Sequence, residues 1–219
     1  DGAVSSASGD LRYVATGDIT LGSLDAANVR VDAGGSIIDG GETDVDVIAD
    51  KAQLTAAGSI GEPAGTNNGP VDTTIGILAA DADTGSVYVR DTESPAVGTV
   101  SAIDVERVAM DSTTSTQAGT ELSGAKAQVN TKVEAAGSLT ADDAVTATDE
   151  DLLLDAQGGI LDVNAAVTAG GNASVLATGM ISQSAFGDVT AGGGTLDVET
   201  TGGAIEMTDG AVSRASGDL

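Results

Sequence analysis

Five acidic residues, Asp32, Asp111, Glu134, Asp155 and Glu199, each follow directly on the second apolar residue of a recurring strand-like text. Asp111, Glu134 and Asp155 fall in successive copies, 23 and then 21 residues apart. If those copies stack as neighbouring strands, adjacent carboxylates stand about 4.8 Å apart and repel by roughly 1 kcal/mol in water. Two arrangements relieve this. The side chains splay into solvent and are screened, or a hard cation with oxygen ligands bridges them, which makes Asp111, Glu134 and Asp155 candidate Ca²⁺ ligands.

A second outward column reads Ser101, Ser123, Thr146, Thr168, Thr190 and Ser213. A hydroxyl ladder of this kind suits an ice-binding face or O-glycosylation. The plainer account is that Ser and Thr on an exposed strand combine β preference with solubility. Asn172-Ala173-Ser174 is a formal N-glycosylation triplet, a weak signal because such triplets are common. GGGTLDVET at 192–200 lacks the third glycine and the in-register aspartate of the calcium-binding nonapeptide.

Other chemistry is restricted by composition. The chain has no His and no Cys, hence no imidazole base, no thiol nucleophile and no zinc site of the usual kind. Its 34 acidic residues include carboxylate pairs by number alone, which keeps a carbohydrate-active β-helix enzyme as the alternative reading. The five arginines at 12, 30, 90, 107 and 214 are scattered, however, and only three aromatics (Tyr13, Tyr88, Phe186) are available to stack on a sugar. A formal charge of −26 repels phosphate backbones and argues against nucleic acid as a partner. No apolar run reaches the roughly 18 to 20 residues of a membrane span.

The elements that position these columns follow from two nested repeats. Residues 1–11 (DGAVSSASGDL) and 209–219 (DGAVSRASGDL) differ only at Ser6 against Arg214, an offset of 208. The expected organisation is one unit over 1–208, with 209–219 the start of the next tandem unit and the two copies in the same rotational position. Within the unit, apolar residues alternate with polar ones ahead of an Ala-x-Gly turn, as at Leu11-Tyr13-Ala15-Gly17 and Leu152-Leu154-Ala156-Gly158. The second apolar positions run Tyr13, Val31, Leu54, Val89, Met110, Val133, Leu154, Val175 and Val198. A separate series runs Val4, Leu24, Val47, Ile77, Val100, Leu122, Val145, Val167 and Val189.

Both series have nine positions per unit, and with the step onto the next unit they take nine steps, mostly of 20 to 23 residues. Period-two alternation with one buried face predicts strands, not helices. Small inward side chains and abundant glycine predict an all-β parallel β-solenoid, right-handed and three-sided, with about nine coils per unit. The longest step contains GEPAGTNNGPVD, which predicts an inserted loop near 61–74.

The phrases GDITL (17–21), DAGGSI (32–37), AAGSIG (56–61) and DAQGGI (155–160) resemble the repeat region of filamentous-haemagglutinin-like exoproteins and related giant bacterial surface adhesins. That resemblance implies an extracellular or cell-surface, non-catalytic stalk or fibre. Its expected partners are neighbouring repeat units of the same chain, end to end, and other cell surfaces or glycans.

Overall fold

A computed structural model describes residues 3–41, 44–66 and 68–217. Those residues form an all-β parallel solenoid of about ten turns with no helix. Four ladders carry it from end to end. One runs through Ser5, Leu24, Val47, Thr73, Asp91, Ala135, Ala156, Ala177 and Thr200. The next starts at Leu11 and passes Val29, Ala52, Leu78, Val97, Ala141, Val163, Gln183 and Met207. A third follows Tyr13, Val31, Leu54, Ala80, Ala125, Val145, Val167, Val189 and Ser213. The last joins Ile19, Ile37, Ile60, Val87, Thr131, Leu152, Ala173 and Leu196. Each turn pairs its backbone with the turns on either side, so a narrow cylinder satisfies its polar groups without helices.

The interior is aliphatic and small. Val31, Leu54, Val133, Leu154 and Val175 are fully buried, as the alternation requires, and half-buried Val198 packs against the same core. Polar groups that enter the core are bonded there. Gln183 donates to the Gly187 carbonyl (2.9 Å) and accepts from the Ser213 hydroxyl (2.9 Å), while Thr131 donates to the Thr146 carbonyl (2.7 Å). One corner is laced by side chains that each accept the backbone N–H of the next turn. Asp18 caps Ser36, Ser36 caps Ser59, Ser59 caps Ser86 and Ser86 caps Asn130, and the series continues through Asp151 and Asn172 to Thr195. Asn172 spends its side-chain NH₂ on Asp151 as well, so the amide of the glycosylation triplet is engaged on both sides.

Three expectations change. First, residues 99–123 do not form a coil. Thr99–Val100 pairs antiparallel with Leu122–Ser123, and Val105–Val108 pairs antiparallel with Thr114–Gln117, so this segment is an inserted hairpin. Val108 and Met110, expected inside, are exposed, Met110 completely. A hairpin has the same period of two as a solenoid strand, so alternation alone does not separate them. The turn before it is therefore followed directly by the turn after it, with Val89 beside Val133. Gly124, at φ +73°, returns the chain to the solenoid so close to the Ala144 backbone that a Cβ has no room.

Second, the loop is shorter than 61–74. Strand Val71–Ala82 already pairs from Val71, which leaves 61–70, with Asn67 outside the described residues. The loop closes on itself through Glu62 N to Gly69 O (2.7 Å) and Thr66 Oγ1 to Pro63 O (2.8 Å). Gly61 opens it at φ +68°.

Third, the same text changes sides. In the N-terminal half the alternating strand, such as Asn28–Ala33, spans the Leu11 and Tyr13 ladders without a bend. In the C-terminal half the equivalent text, such as Thr131–Ala135, spans the Ile19 and Ser5 ladders instead. The 12-residue strand Val71–Ala82 makes the exchange. Its start feeds Val89, whereas Leu54 pairs with its Ala80. Val4 also leaves the expected inward series, and so does its copy Val212 at the 208-residue offset. Ser5 and Ser213 take the ladder positions, and both valines are exposed.

Candidate functional site

The expected acidic triad is divided. Asp111 stands in the turn of the hairpin, where its carboxylate accepts the Thr113 backbone N–H (3.1 Å) and hydroxyl (2.7 Å). Those two bonds hold its pKa below the ordinary aspartate value. Glu134 and Asp155 do sit on adjacent rungs, as expected. The residue on the other side of Glu134 is Arg90, and beyond it lies Asp72. Arg90 Nε donates to Glu134 Oε2 (3.3 Å), and its Nη1 lies 3.7 Å from Asp72 Oδ1. The column thus reads acid, base, acid, acid, and Arg90 neutralises the site where a cation was expected to bridge. Burial, joined by the nearby Glu134 charge, raises the pKa of Asp155, while a bond from Gln157 opposes it. No group of three or more His, Cys, Asp or Glu among the described residues is arranged to hold a metal ion.

The hydroxyl column is shorter than its text. Thr146, Thr168 and Thr190 stack in register, flanked by Lys126 on one side and Arg214 on the other. Ser123 belongs to the hairpin root, where it faces Thr99, and Ser213 occupies the core ladder.

The hairpin itself is the feature that sequence reading missed. Its root lies over the outer face of the N-terminal turns. Ala79, Val100 and Ile103 form a second small core there, with Ile77 and Leu122 against it. Gln53, an outward residue of its strand, is 2% exposed because the hairpin root covers it. Its Nε2 donates to the carbonyls of Val100 (2.8 Å), Thr120 (3.0 Å) and Ser101 (3.2 Å). Arg30 reaches the Ala118 carbonyl (3.5 Å) while paired with Asp32 (3.2 Å). An outward glutamine in mid-strand was the only trace in the text, and it is too common to have pointed there.

On another side, an open groove of about 970 Å³ runs along the axis past five successive turns. Its floor is Ala7, Ala26, Ala49 and Ile75, and its acidic rim is Asp25, Asp50 and Glu93. A smaller hollow of about 210 Å³ lies where Pro63, Ala64 and Pro70 of the loop meet Tyr88 and Lys132. The Lys132 ammonium stands 5.9 Å from the Tyr88 ring centre, a cation–π distance. No helix among the described residues is long and apolar enough to cross a membrane. Comparison with protein families, with curated proteins and with solved structures gave no match.

Proposed function

We propose that the chain is a length-setting repeat of a large extracellular surface protein, an adhesin stalk or fibre segment whose work is mechanical display and not catalysis. The observation that carries this reading is the near-identity of residues 1–11 and 209–219, which lets one continuous ladder pass from unit to unit. Four further features agree with it. The ladders run unbroken through the unit, the core is small and aliphatic, the charge of −26 keeps long arrays from collapsing on one another, and the hairpin stands on the outside as a display element. In this reading, the partners are neighbouring units of the same chain within the stalk, and glycans or other cell surfaces at its far end.

Immunogold labelling of intact cells that make the protein, with antibody against the hairpin 105–117, tests the proposal. Gold standing off the cell surface, on unpermeabilised cells, supports it. Label confined to the interior after permeabilisation would overturn it.

A further inference from the structure

The two copies of the terminal text sit on different sides of the solenoid. Ser5 heads one ladder, the one that ends at Thr200. Its copy Ser213 ends a different ladder, the one that begins at Tyr13. In each turn the chain visits the Ser5, Leu11, Tyr13 and Ile19 ladders in that order, and the C-terminal turns place three strands per turn, as at Thr131–Ala135, Leu139–Ala141 and Val145–Ala147. From Ser5 to Ser213 the chain therefore makes eight turns and two further sides, or about 8⅔ turns. The source of the missing third is the exchange of sides within Val71–Ala82.

We infer that the last turn is an interface built to receive the next unit of the same chain rotated by one side, about 120°, so that orientation recurs only every third unit. This inference rests on the tandem reading above.

Spacing supports the rotated docking over the aligned one. With Ser213 on Val189, strand Asp10–Ala15 of the following unit falls on Leu196–Thr200, which sets Leu11 on Leu196, Tyr13 on Val198 and Ala15 on Thr200. Ile19 of that unit then falls on Ile205, which is 46% exposed in the last turn. Aligned docking would instead set Leu11 on Met207 and Tyr13 on Ser213, forcing a two-residue spacing onto a six-residue one.

Charge agrees independently. The rotated register brings Arg12 opposite Asp197, both on the outer face. Arg12 Nε is buried and has no hydrogen-bond partner among the described residues. Asp197 of the preceding unit supplies an acceptor on that side. In the array, successive hairpins would point in three directions about the axis, and a stalk would present them all round instead of along one edge.

The test is a chain of two consecutive units with Met110→Cys in each, since the protein has no other cysteine and Met110 is fully exposed. Nitroxides on the two sites report their separation by double electron–electron resonance. Aligned units leave only the axial step, about 42 Å at 4.8 Å per turn. Rotated units add a lateral chord; with labels roughly 20 Å off the axis the distance becomes about 55 Å. The longer distance supports the rotation and the shorter one overturns it. Amide exchange at Leu196–Thr200 of the first unit separates this from failure of the tandem reading. Protection relative to the single unit shows that the junction forms, whereas unchanged exchange shows that it does not and removes the tandem reading together with the rotation.

Discussion

Replacing Gln53 by leucine should release the hairpin while leaving the solenoid folded. The side chain donates two N–H groups to three carbonyls at the hairpin root, all within 3.2 Å, from a site that is 2% exposed. A net amide hydrogen bond contributes about 1 kcal/mol, and a carbonyl left buried without a donor costs about 1 to 3 kcal/mol more. The local loss should come to about 2 to 4 kcal/mol. Leucine keeps comparable bulk, and Gln53 points away from the main core, so little of that loss should reach the ladders. Native-state amide exchange is the assay. Hairpin amides between 99 and 123 should lose protection by roughly 30- to 1000-fold, the factor that corresponds to that free energy, while Val133, Leu154 and Val175 keep theirs. An equal loss of protection in the hairpin and the C-terminal turns would refute the reasoning, because it would mean that the insertion and the solenoid open as one unit.

Leu154→Ala should cost about 2 to 4 kcal/mol in denaturant unfolding, since the side chain is fully buried in a narrow core with little freedom to collapse; a loss below about 0.5 kcal/mol would contradict that packing. Burial raises the pKa of Asp91, Asp72 and Asp155 above the ordinary aspartate value of 3.8. In the window between 3.8 and those raised values the folded state binds more protons than the unfolded one, so stability falls as pH rises. Melting temperature should accordingly increase as pH is lowered from above those raised values towards 3.8, and a decrease across that window would reverse the sign. Asp91→Asn should destabilise by about 1 to 3 kcal/mol although it removes a buried charge, because Thr73 Oγ1, Ile75 N and Glu93 N all donate to the carboxylate and an amide offers them one oxygen. Arg90→Met should leave Glu134 and Asp155 on adjacent rungs, with Asp72 two rungs from Glu134 and no cation between them, so that millimolar Ca²⁺ raises the melting temperature of the variant more than that of the native chain; equal responses would show that Arg90 does not govern the site.

The sequence made the fold legible through Val31, Leu54, Val133, Leu154 and Val175, because period-two alternation ahead of a glycine turn has one simple solution in a chain this poor in aromatics. It did not show which side of the solenoid each copy occupies. The same alternating text fits a side bounded by the Leu11 and Tyr13 ladders and one bounded by the Ile19 and Ser5 ladders, and only pairing across Val71–Ala82 distinguishes them. Met110 and Val108 misled for a related reason, since a surface hairpin and a buried strand share their periodicity. Asp111 followed Met110 into the wrong place. The pairing of Glu134 with Asp155 was legible from spacing, but the neutralising role of Arg90 was not, because its rung lies 44 residues from Glu134 across the insertion.

Small-angle X-ray scattering from chains of one, two and three consecutive units measures the stalk directly. At about 8⅔ turns per unit and 4.8 Å per turn, each added unit should lengthen the particle by about 42 Å while the cross-sectional radius of gyration stays constant. Units that add cross-section instead of length, or that separate into beads joined by flexible linkers, would contradict the continuous solenoid on which the account depends.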